Sequence, residues 1–301
     1  MIADWHEVEW MHREFGHLRA DWQFLGEAAG SVNVGVRRIR MAPGDVPTPQ
    51  HVHGAEEEIF YVLEGSGLSR QDDKTYEIRA GDCIVHRALA EAHTLRAGDD
   101  GLTVLAYGHR MRTPGAYLPN ANRSWLTPSW TEAGHVSHPF DAEPELDWPE
   151  PSPRPANIVN LDEVEVEEWG ARDMAGRARA LASTAGSVRA GFHHEITPSG
   201  KLNTTPHCHS AEEEIFIVTD GEGTLLLGDD EHPVRAGHVV ARPPGTRIAH
   251  AFRAGEEELT ILTYGTREPN DICYYPRSGL VALRGIGLIG RLEPVSQDEI
   301  W

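Results

Sequence analysis

The sequence predicts an all-β protein that consists of two similar units arranged in tandem. Short β-prone runs are separated by Gly, Pro and Asp turns along the chain, which is typical of an antiparallel sandwich or barrel. The second half repeats the first at an offset of 156 residues, which becomes 157 after one inserted residue. Both halves contain a His-x-His pair that is followed by a glutamate. We therefore expect an internal duplication with one polar site in each unit.

The repeat involves apolar runs and glycines as well as the histidines. Leu102–Gly108 returns as Leu259–Gly265, and the pair Gly65 and Gly67, which indicates a hairpin turn or a bulge, also recurs. The predicted organisation is an N-terminal domain at 1–126, a linker rich in Pro, Trp and acidic residues at 127–157, a C-terminal domain at 158–283 and a tail at 284–301. Helix is expected only as short pieces, at 162–169 and 175–182.

Length, charge and cysteine content restrict the function classes. The 301 residues are enough for two mid-sized domains with buried cores. A formal net charge of −20 argues against nucleic acid and anionic membranes as partners. Three cysteines are too few for a disulfide framework and favour a reducing, cytoplasmic compartment. No signal peptide or apolar run long enough to span a membrane is expected.

The spacing of the histidines and the glutamate favours metal binding. In a strand, residues i and i+2 face the same side, so His51 and His53 present their imidazoles together, and Glu58 enters from the next strand. A third histidine follows in each unit. Three neutral imidazoles and one carboxylate suit a divalent transition metal such as Mn, Fe, Co, Ni, Cu or Zn, and the duplication predicts two ions per chain. The expected ligands are His51, His53, Glu58 and His93 in the first unit and His207, His209, Glu214 and His250 in the second.

These residues resemble the motifs of the cupin superfamily, and the duplication resembles the bicupin architecture of germin-like, quercetinase-like and oxalate-decarboxylase-like proteins. The N-terminal unit departs from the second cupin motif, because Arg87 and Leu89 stand where Pro and Gly are usual. Six residues, rather than the usual five, separate the first glycine from the His-x-His pair in both units. The matching positions are Gly44, His51, His53, Glu58, Gly65, Gly81 and His93, then Gly200, His207, His209, Glu214, Gly221, Gly237, Pro243, Gly245 and His250.

The resemblance implies two jelly-roll barrels, each with its metal ligands at one open end. Because cupins have many functions, the fold does not decide between them. The leading hypothesis is a metal-dependent dioxygenase that acts on a small molecule, in which Glu58 and Glu214 either bind the metal or act as catalytic bases. The alternatives are an oxalate-decarboxylase-like reaction, a sugar isomerase and a non-catalytic metal- or ligand-binding protein, each as a monomer or a homo-oligomer.

The two sites are expected to differ in their walls. The strand after the glycine turn reads Ser69-Arg70-Gln71 in the first unit and Leu225-Leu226-Leu227 in the second. Arg70 is therefore a candidate anchor for a substrate carboxylate, with an outward-facing, solvated arginine as the alternative. On this basis we expect the first barrel to carry the chemistry on a polar or anionic substrate. The glutamates that precede each ligand glutamate are predicted to be solvated turn residues: Glu56, Glu57, Glu212 and Glu213.

Overall fold

The computed structural model describes residues 2–111, 114–126, 129–131 and 139–291. The first half comprises β1 (Ile2–Asp4), β2 (Met11–Phe15), β3 (Leu18–Phe24), α1 (Leu25–Ala28), β4 (Val34–Met41), β5 (Val52–His53), β6 (Glu58–Gln71), β7 (Lys74–Arg79), β8 (Asp82–His86), β9 (His93–His109), β10 (Gly115–Leu118), β11 (Arg123–Leu126) and β12 (Ser129–Thr131). A 3-10 turn at Pro139–Ala142 follows.

The second half repeats this series of elements. It comprises β13 (Ile158–Asn160), a 3-10 turn (Leu161–Glu163), β14 (Glu167–Ala171), β15 (Met174–Ala180), α2 (Leu181–Thr184), β16 (Gly191–Thr197), β17 (Cys208–His209), β18 (Glu214–Asp220), β19 (Glu222–Leu227), β20 (Asp230–Arg235), β21 (His238–Arg242), β22 (His250–Ala254), β23 (Leu259–Gly265), β24 (Ile272–Tyr275), β25 (Leu280–Leu283), a 3-10 turn (Arg284–Ile286) and β26 (Leu288–Arg291).

Both halves form antiparallel jelly-roll barrels, which confirms the predicted fold class. The main sheet of the first barrel has the order β13-β8-β6-β9-β4-β3-β2, with β7 added to β6. The main sheet of the second has the order β1-β21-β18-β23-β16-β15-β14, and its opposing sheet is β20-β19-β22. A smaller sheet lies at the mouth of each barrel, β12-β11-β10-β5 in the first and β17-β24-β25-β26 in the second.

The glycine turn of the first barrel is a β-bulge. The register of β6 against β9 shifts between Val62 and Glu64 and again between Gly65 and Gly67. Gly65 has a φ of +81°, and a Cβ atom there would collide with the carbonyl oxygen of Gly101. The bulge therefore requires glycine, as the sequence indicated.

Each barrel receives one strand from the other unit. β1 pairs with β21 in the second barrel, with Ile2 opposite Val240. β13 pairs with β8 in the first barrel, with Ile158 opposite Ile84. The strands that begin the predicted domains at 1–126 and 158–283 therefore lie in the sheet of the opposite barrel.

A shared apolar core joins the two barrels. The rings of Tyr107 and Tyr264 stack with centroids 5.2 Å apart, and Phe192 packs against Tyr107 at 5.0 Å. The one-turn helices α1 and α2 contribute Leu25 and Leu181, which are fully buried. This core explains why strands such as β6 are apolar on both faces, because one face lines the barrel and the other faces the partner barrel.

Two buried glutamates connect the barrels by hydrogen bonds. The carboxylate of Glu57 accepts from the Ser187 hydroxyl at 2.6 Å and from the backbone N–H groups of Val188 and Arg189, each at 3.0 Å. Symmetrically, Glu213 accepts from the backbone N–H groups of residues 32 and 33. The prediction that these glutamates are solvated was wrong, because their partners lie more than 100 residues away and are invisible to local sequence reasoning.

The predicted short helices were also wrong in most of their length. Residues 162–169 contain the end of a 3-10 turn and the start of β14, and residues 175–182 are mainly β15. Strand pairing with β16 outweighed the helix propensity of the alanines in β15. Among the described residues, no helix is long and apolar enough to cross a membrane.

The described part of the predicted linker, 129–131 and 139–157, packs against the first barrel. The ring of Phe140 lies 5.6 Å from that of Phe15, and the Asn157 side chain donates to the carbonyl oxygen of Val85 at 3.0 Å. The described part of the predicted tail, 284–291, adds β26 to the mouth sheet of the second barrel. Both segments therefore contribute to the surroundings of the barrel mouths.

Candidate metal centres

Backbone pairing brings the four predicted ligands of the first barrel together. His51 and His93 form an antiparallel bridge in which each backbone N–H donates to the other's carbonyl oxygen, at 3.0 and 2.8 Å. His53 lies two residues along the same extended segment, and Glu58 is the first residue of β6. The third histidine therefore lies beside the first because their backbone segments pair, which the local His-x-His spacing does not determine.

The four side chains converge on one point. The Oε2 atom of Glu58 lies 3.5 Å from His51 Nε2, 3.2 Å from His53 Nε2 and 2.9 Å from His93 Nε2. Adjacent ligands that each lie about 2.1 Å from a metal ion are about 3 Å from one another. The spacing of these four atoms therefore fits a metal ion between them, and together they form a group that could hold one.

In the second barrel the glutamate again faces three histidines, but the side chains form overlapping groups of three that could hold a metal, His207 with Glu214 and His250, and His207 with His209 and Cys273. The Oε2 atom of Glu214 lies 3.7 Å from His207 Nε2, 3.3 Å from His209 Nε2 and 2.9 Å from His250 Nε2. Among the described residues, the buried Glu214 Oε2, His209 Nε2 and His250 Nε2 atoms have no hydrogen-bond partner. Because buried polar atoms normally have a partner, these three atoms fit metal coordination.

Hydrogen bonds at the far side of the rings direct Nε2 toward the site. His51 Nδ1 donates to the carbonyl oxygen of Pro49 at 2.9 Å, and His207 Nδ1 donates to that of Thr205 at the same distance. A carbonyl oxygen only accepts, so Nδ1 carries the proton and Nε2 presents a lone pair. This tautomer is the one that metal ligation through Nε2 requires.

The second histidine of each pair faces a carboxylate, and this carboxylate differs between the barrels. His53 Nδ1 lies 2.9 Å from Glu56 Oε1, whereas His209 Nδ1 lies 2.6 Å from Asp271 Oδ2. Asp271 is held in place by the backbone N–H groups of residues 211 and 212. Glu56 is thus not a free turn residue as predicted, and Asp271 was missed because it lies 62 residues from His209.

Electrostatics favour a charged carboxylate in each centre. Burial opposes ionisation of Glu58 and Glu214, but the attraction between each carboxylate and the three imidazoles around it outweighs burial and holds both pKa values well below their usual range. Burial lowers the pKa of His93 to about 3 and that of His250 to about 4, so both rings are neutral. Burial also opposes protonation of His53, but hydrogen bonds to glutamates outweigh it and raise its pKa to about 10. A metal ion has to displace the proton of His53 when it binds.

A wide cavity of about 600 Å³ opens above the first centre. Its base contains His51 and His53, and most of its wall is apolar or aromatic. The prediction of a polar first pocket therefore does not hold for the walls of this cavity. The lining residues are Arg13, Phe15, Thr48, Pro49, His51, His53, Ala116, Leu118, Trp125 and Phe140.

Arg70 lies outside this cavity. Its guanidinium donates to the carbonyl oxygen of Asp147, in the linker, and to the side chain of Gln50 at 3.4 Å. These contacts hold the linker on the barrel, so they give no support to the predicted role of Arg70 as a substrate anchor. The direction of the Arg70 side chain depends on the linker, which the local strand pattern does not encode.

The mouth of the second barrel is narrower and more highly charged. A cavity of about 380 Å³ there is lined by Glu212, Asp271 and Arg284, with Cys273 and Tyr275 near the histidines. Arg284, from the predicted tail, forms an ion pair with Glu212, which is 5% exposed. Burial raises the pKa of Glu212 to about 7, and the neighbouring Glu214 adds to this. Glu212 is thus another buried glutamate that was predicted to be solvated.

Two further carboxylates, one buried and one partly buried, lie near the centres and were missed by the sequence reasoning. Glu143 is 5% exposed and accepts from the Gln50 backbone N–H at 3.1 Å, next to His51. Burial raises the pKa of Glu195 to about 7, and Glu214 adds to the effect. Glu195 has the apolar Ile39 as its counterpart in the first barrel. That difference between the repeats is the one signal that could have identified it.

Comparison with known proteins decides the family. Residues 37–106 and 193–264 each match the cupin domain family. The chain is a bicupin of the cupin superfamily. This confirms the resemblance inferred from the histidine and glycine motifs. A short segment is also similar to an uncharacterized protein from Methanocaldococcus jannaschii, at 41% identity over 44 residues. That segment is 15% of the bicupin and 35% of its relative, so the match spans about a third of the relative's length.

Among solved structures, the bicupin is similar in fold to oxalate decarboxylase from Bacillus subtilis. A point mutant of that enzyme aligns with a TM-score of 0.60 and 15% identity over 88% of this chain and 77% of the other. A deletion mutant gives a TM-score of 0.59 and 15% identity over 88% and 76%. Another of these structures concerns the Mn(II) centres of the same enzyme. At this identity the similarity is one of fold, and it lends no support to the dioxygenase class predicted from the sequence.

The carboxylates behind the second histidines give a testable difference between the two centres. In the bicupin variant Asp271→Asn, we expect the metal affinity of the second barrel to fall about 10–100-fold, because the amide no longer holds His209 in its ligating tautomer. Glu56→Gln should have the same effect on the first barrel alone. Competition with a chelator of known affinity measures both. Equal affinities in wild type and both variants would contradict this orienting role.

Proposed function

We propose that the bicupin is a metal-dependent enzyme whose N-terminal barrel transforms a small organic molecule. The observation that carries the proposal is the position of His51 and His53, which belong to the group that could hold a metal and also form the base of the wide cavity. A metal that takes five or six ligands keeps coordination positions for a substrate when four side chains bind it, and the cavity leads to that open side. The second centre has a narrower, charged mouth and is assigned mainly to stability.

The roles of the chain's own residues follow from the geometry. We assign metal ligation to His51, His53, Glu58 and His93 in the first barrel and to His207, His209, Glu214 and His250 in the second. Glu58 and Glu214 act as ligands and not as bases, because one oxygen of each faces all three imidazoles. When bound, the metal supplies Lewis-acid polarisation of a substrate oxygen. The apolar wall excludes water, which strengthens electrostatic interactions inside the cavity.

Two reaction classes are compatible with this site. Decarboxylation of a carboxylate substrate is the first, because the structures with a similar fold are named oxalate decarboxylases. Oxygenation is the second, because three imidazoles and a carboxylate also suit a redox-active metal. Release of CO2 without O2 uptake distinguishes the first class from the second. A bicupin that binds metal and ligand without turnover is the non-catalytic alternative.

The decisive experiment compares one ligand variant in each barrel. The protein loaded with Mn(II) or Fe(II) is screened against organic carboxylates and enols, with CO2 release and O2 uptake as readouts. We expect turnover by the wild type, loss of turnover in His51→Ala and retention in His207→Ala. Loss in His207→Ala alone, with the first metal still bound, would assign the chemistry to the second barrel. No turnover by fully loaded protein across the screen would refute the enzymatic proposal.

A further inference from the structure

The cavity of the N-terminal barrel combines an apolar wall with one permanent cation. The rings of Phe15 and Phe140 pack edge to face at the rim, with centroids 5.6 Å apart, and Trp125 adds a third aromatic side chain. Of the described residues that line this cavity, Arg13 is the only ionisable one apart from the histidines. Such a wall takes up hydrocarbon, while isolated polar groups fix the orientation of the ligand.

Arg13 lies against aromatic rings, and no described residue neutralises it. Its guanidinium lies over the rings of Trp22 and Phe24, at 5.5 and 5.1 Å from their centroids. Among the described residues, no carboxylate lies within ion-pair distance of it. A half-buried guanidinium beside an apolar wall is complementary to a carboxylate, which it can bind through two parallel hydrogen bonds.

The size of the cavity argues against a very small dianion. About 600 Å³ falls within the range of roughly 300–1,000 Å³ that is usual for sites of drug-sized ligands. Oxalate consists of two carboxylates and has no hydrocarbon to cover the aromatic rim.

These features belong to the first barrel and not to the fold in general. In the second unit the counterparts of Arg13, Phe15 and Trp125 are Trp169, Ala171 and Ala282. Trp169 donates its indole N–H to the carbonyl oxygen of Asn203, so the cation is replaced by a structural contact. The second cavity is smaller and has Glu212, Asp271 and Arg284 in its lining.

We propose that the N-terminal barrel binds organic monocarboxylates with an apolar, ring-sized body, with the carboxylate on Arg13 and the body against the aromatic rim. This extends the function proposed above, because it names the substrate class for the same cavity. Arg13 is a specificity-determining residue in this scheme. The end of the ligand opposite the carboxylate faces His51 and His53, which fits the oxygenation class better than decarboxylation of the anchored carboxylate.

The test uses three probes on metal-loaded protein: 3-phenylpropionate, its neutral amide and oxalate, with binding followed by titration calorimetry. We expect 3-phenylpropionate to bind at least about 10-fold more tightly than either of the others. Arg13→Gln should weaken its binding by about 10–100-fold, as expected for loss of a charge-assisted pair. Trp125→Ala should weaken it too and leave the binding of oxalate unchanged.

Matched variants keep this test decisive. Arg13→Lys retains the charge but not the planar fork, so it should recover only part of the affinity. Arg19→Gln removes a half-exposed arginine outside the cavity and should have no effect. Metal content and melting temperature confirm that each variant is folded. The inference is overturned if oxalate binds more tightly, if no probe binds, or if Arg13→Gln binds like the wild type. Binding as expected without any turnover would instead refute only the enzymatic proposal.

Discussion

Replacing His51 with alanine is expected to remove one of two bound metal ions, and replacing His207 is expected to remove the other. Each variant deletes one of the side chains that converge on a single point in its barrel. Loss of a direct ligand should cost more than the roughly 10–100-fold in affinity that is typical of groups behind the ligands. Elemental analysis after gel filtration should therefore give about two ions for the wild type, one for each single variant and none for the double variant.

The same variants should reveal how much each metal stabilises the fold. A ligand that binds only the folded state at 100 times its dissociation constant adds about 2.7 kcal/mol to the free energy of unfolding. Chelation should thus lower the melting temperature of the wild type, and each single variant should show only part of that change. Cys208→Ala is the control, because this residue lies between two ligands but belongs to none of the groups that could hold a metal. Wild type without metal, and unable to take it up, would refute both centres.

Replacing Glu57 with alanine is expected to destabilise the bicupin by about 2–4 kcal/mol. The substitution removes a buried carboxylate and leaves three donors from the opposite unit without their acceptor. Buried donors that lose a partner cost about 1–3 kcal/mol each, less where the loop can be rehydrated. Urea unfolding of metal-saturated protein measures the change.

The second unit has an equivalent glutamate, Glu213, whose replacement can be compared with that of Glu57. Glu213→Ala removes the equivalent contact in the other direction and should have an effect of similar size. Glu168→Ala alters an exposed residue of β14 and should change the free energy of unfolding by less than about 0.5 kcal/mol. Metal content must be measured in parallel, because Glu57 and Glu213 adjoin ligand glutamates. An unfolding curve of Glu57→Ala that matches that of Glu168→Ala would contradict the proposed contribution to stability.

Features with a local or periodic signature could be predicted from the sequence. The duplication, the all-β fold and the convergence of residues such as His51 and Glu58 follow from repeat offsets, strand periodicity and motif spacing, and the jelly-roll barrels follow from the resemblance to cupins. The third histidine could also be identified, because one follows the glutamate in each repeat, and the structure adds its bridge to His51.

Features that depend on distant parts of the chain could not be predicted. From the sequence alone Glu57 is indistinguishable from a solvated turn residue, because its hydrogen-bond partners lie in the loop at 187–189. Asp271 likewise lies far from His209 in sequence, although their side chains are in contact. The sequence suggests that Arg70 points into a pocket, but its guanidinium donates a hydrogen bond to the carbonyl oxygen of Asp147 in the linker. In each case a long-range hydrogen bond decides the role of a charged side chain, and local pattern carries no information on such bonds.

The two halves of the chain exchange their first strands, β1 and β13, so neither barrel is complete without the other half. Half of the chain, expressed alone, would leave the edge of β8 or β21 without its outer strand, and it could fill that position only with the first strand of a second copy. The molecule is thus equivalent to a strand-swapped homodimer whose two subunits have been fused end to end. In a chain of this kind each half can differ from the other while the strand exchange is kept, and the two barrel mouths do differ, one being aromatic and the other charged.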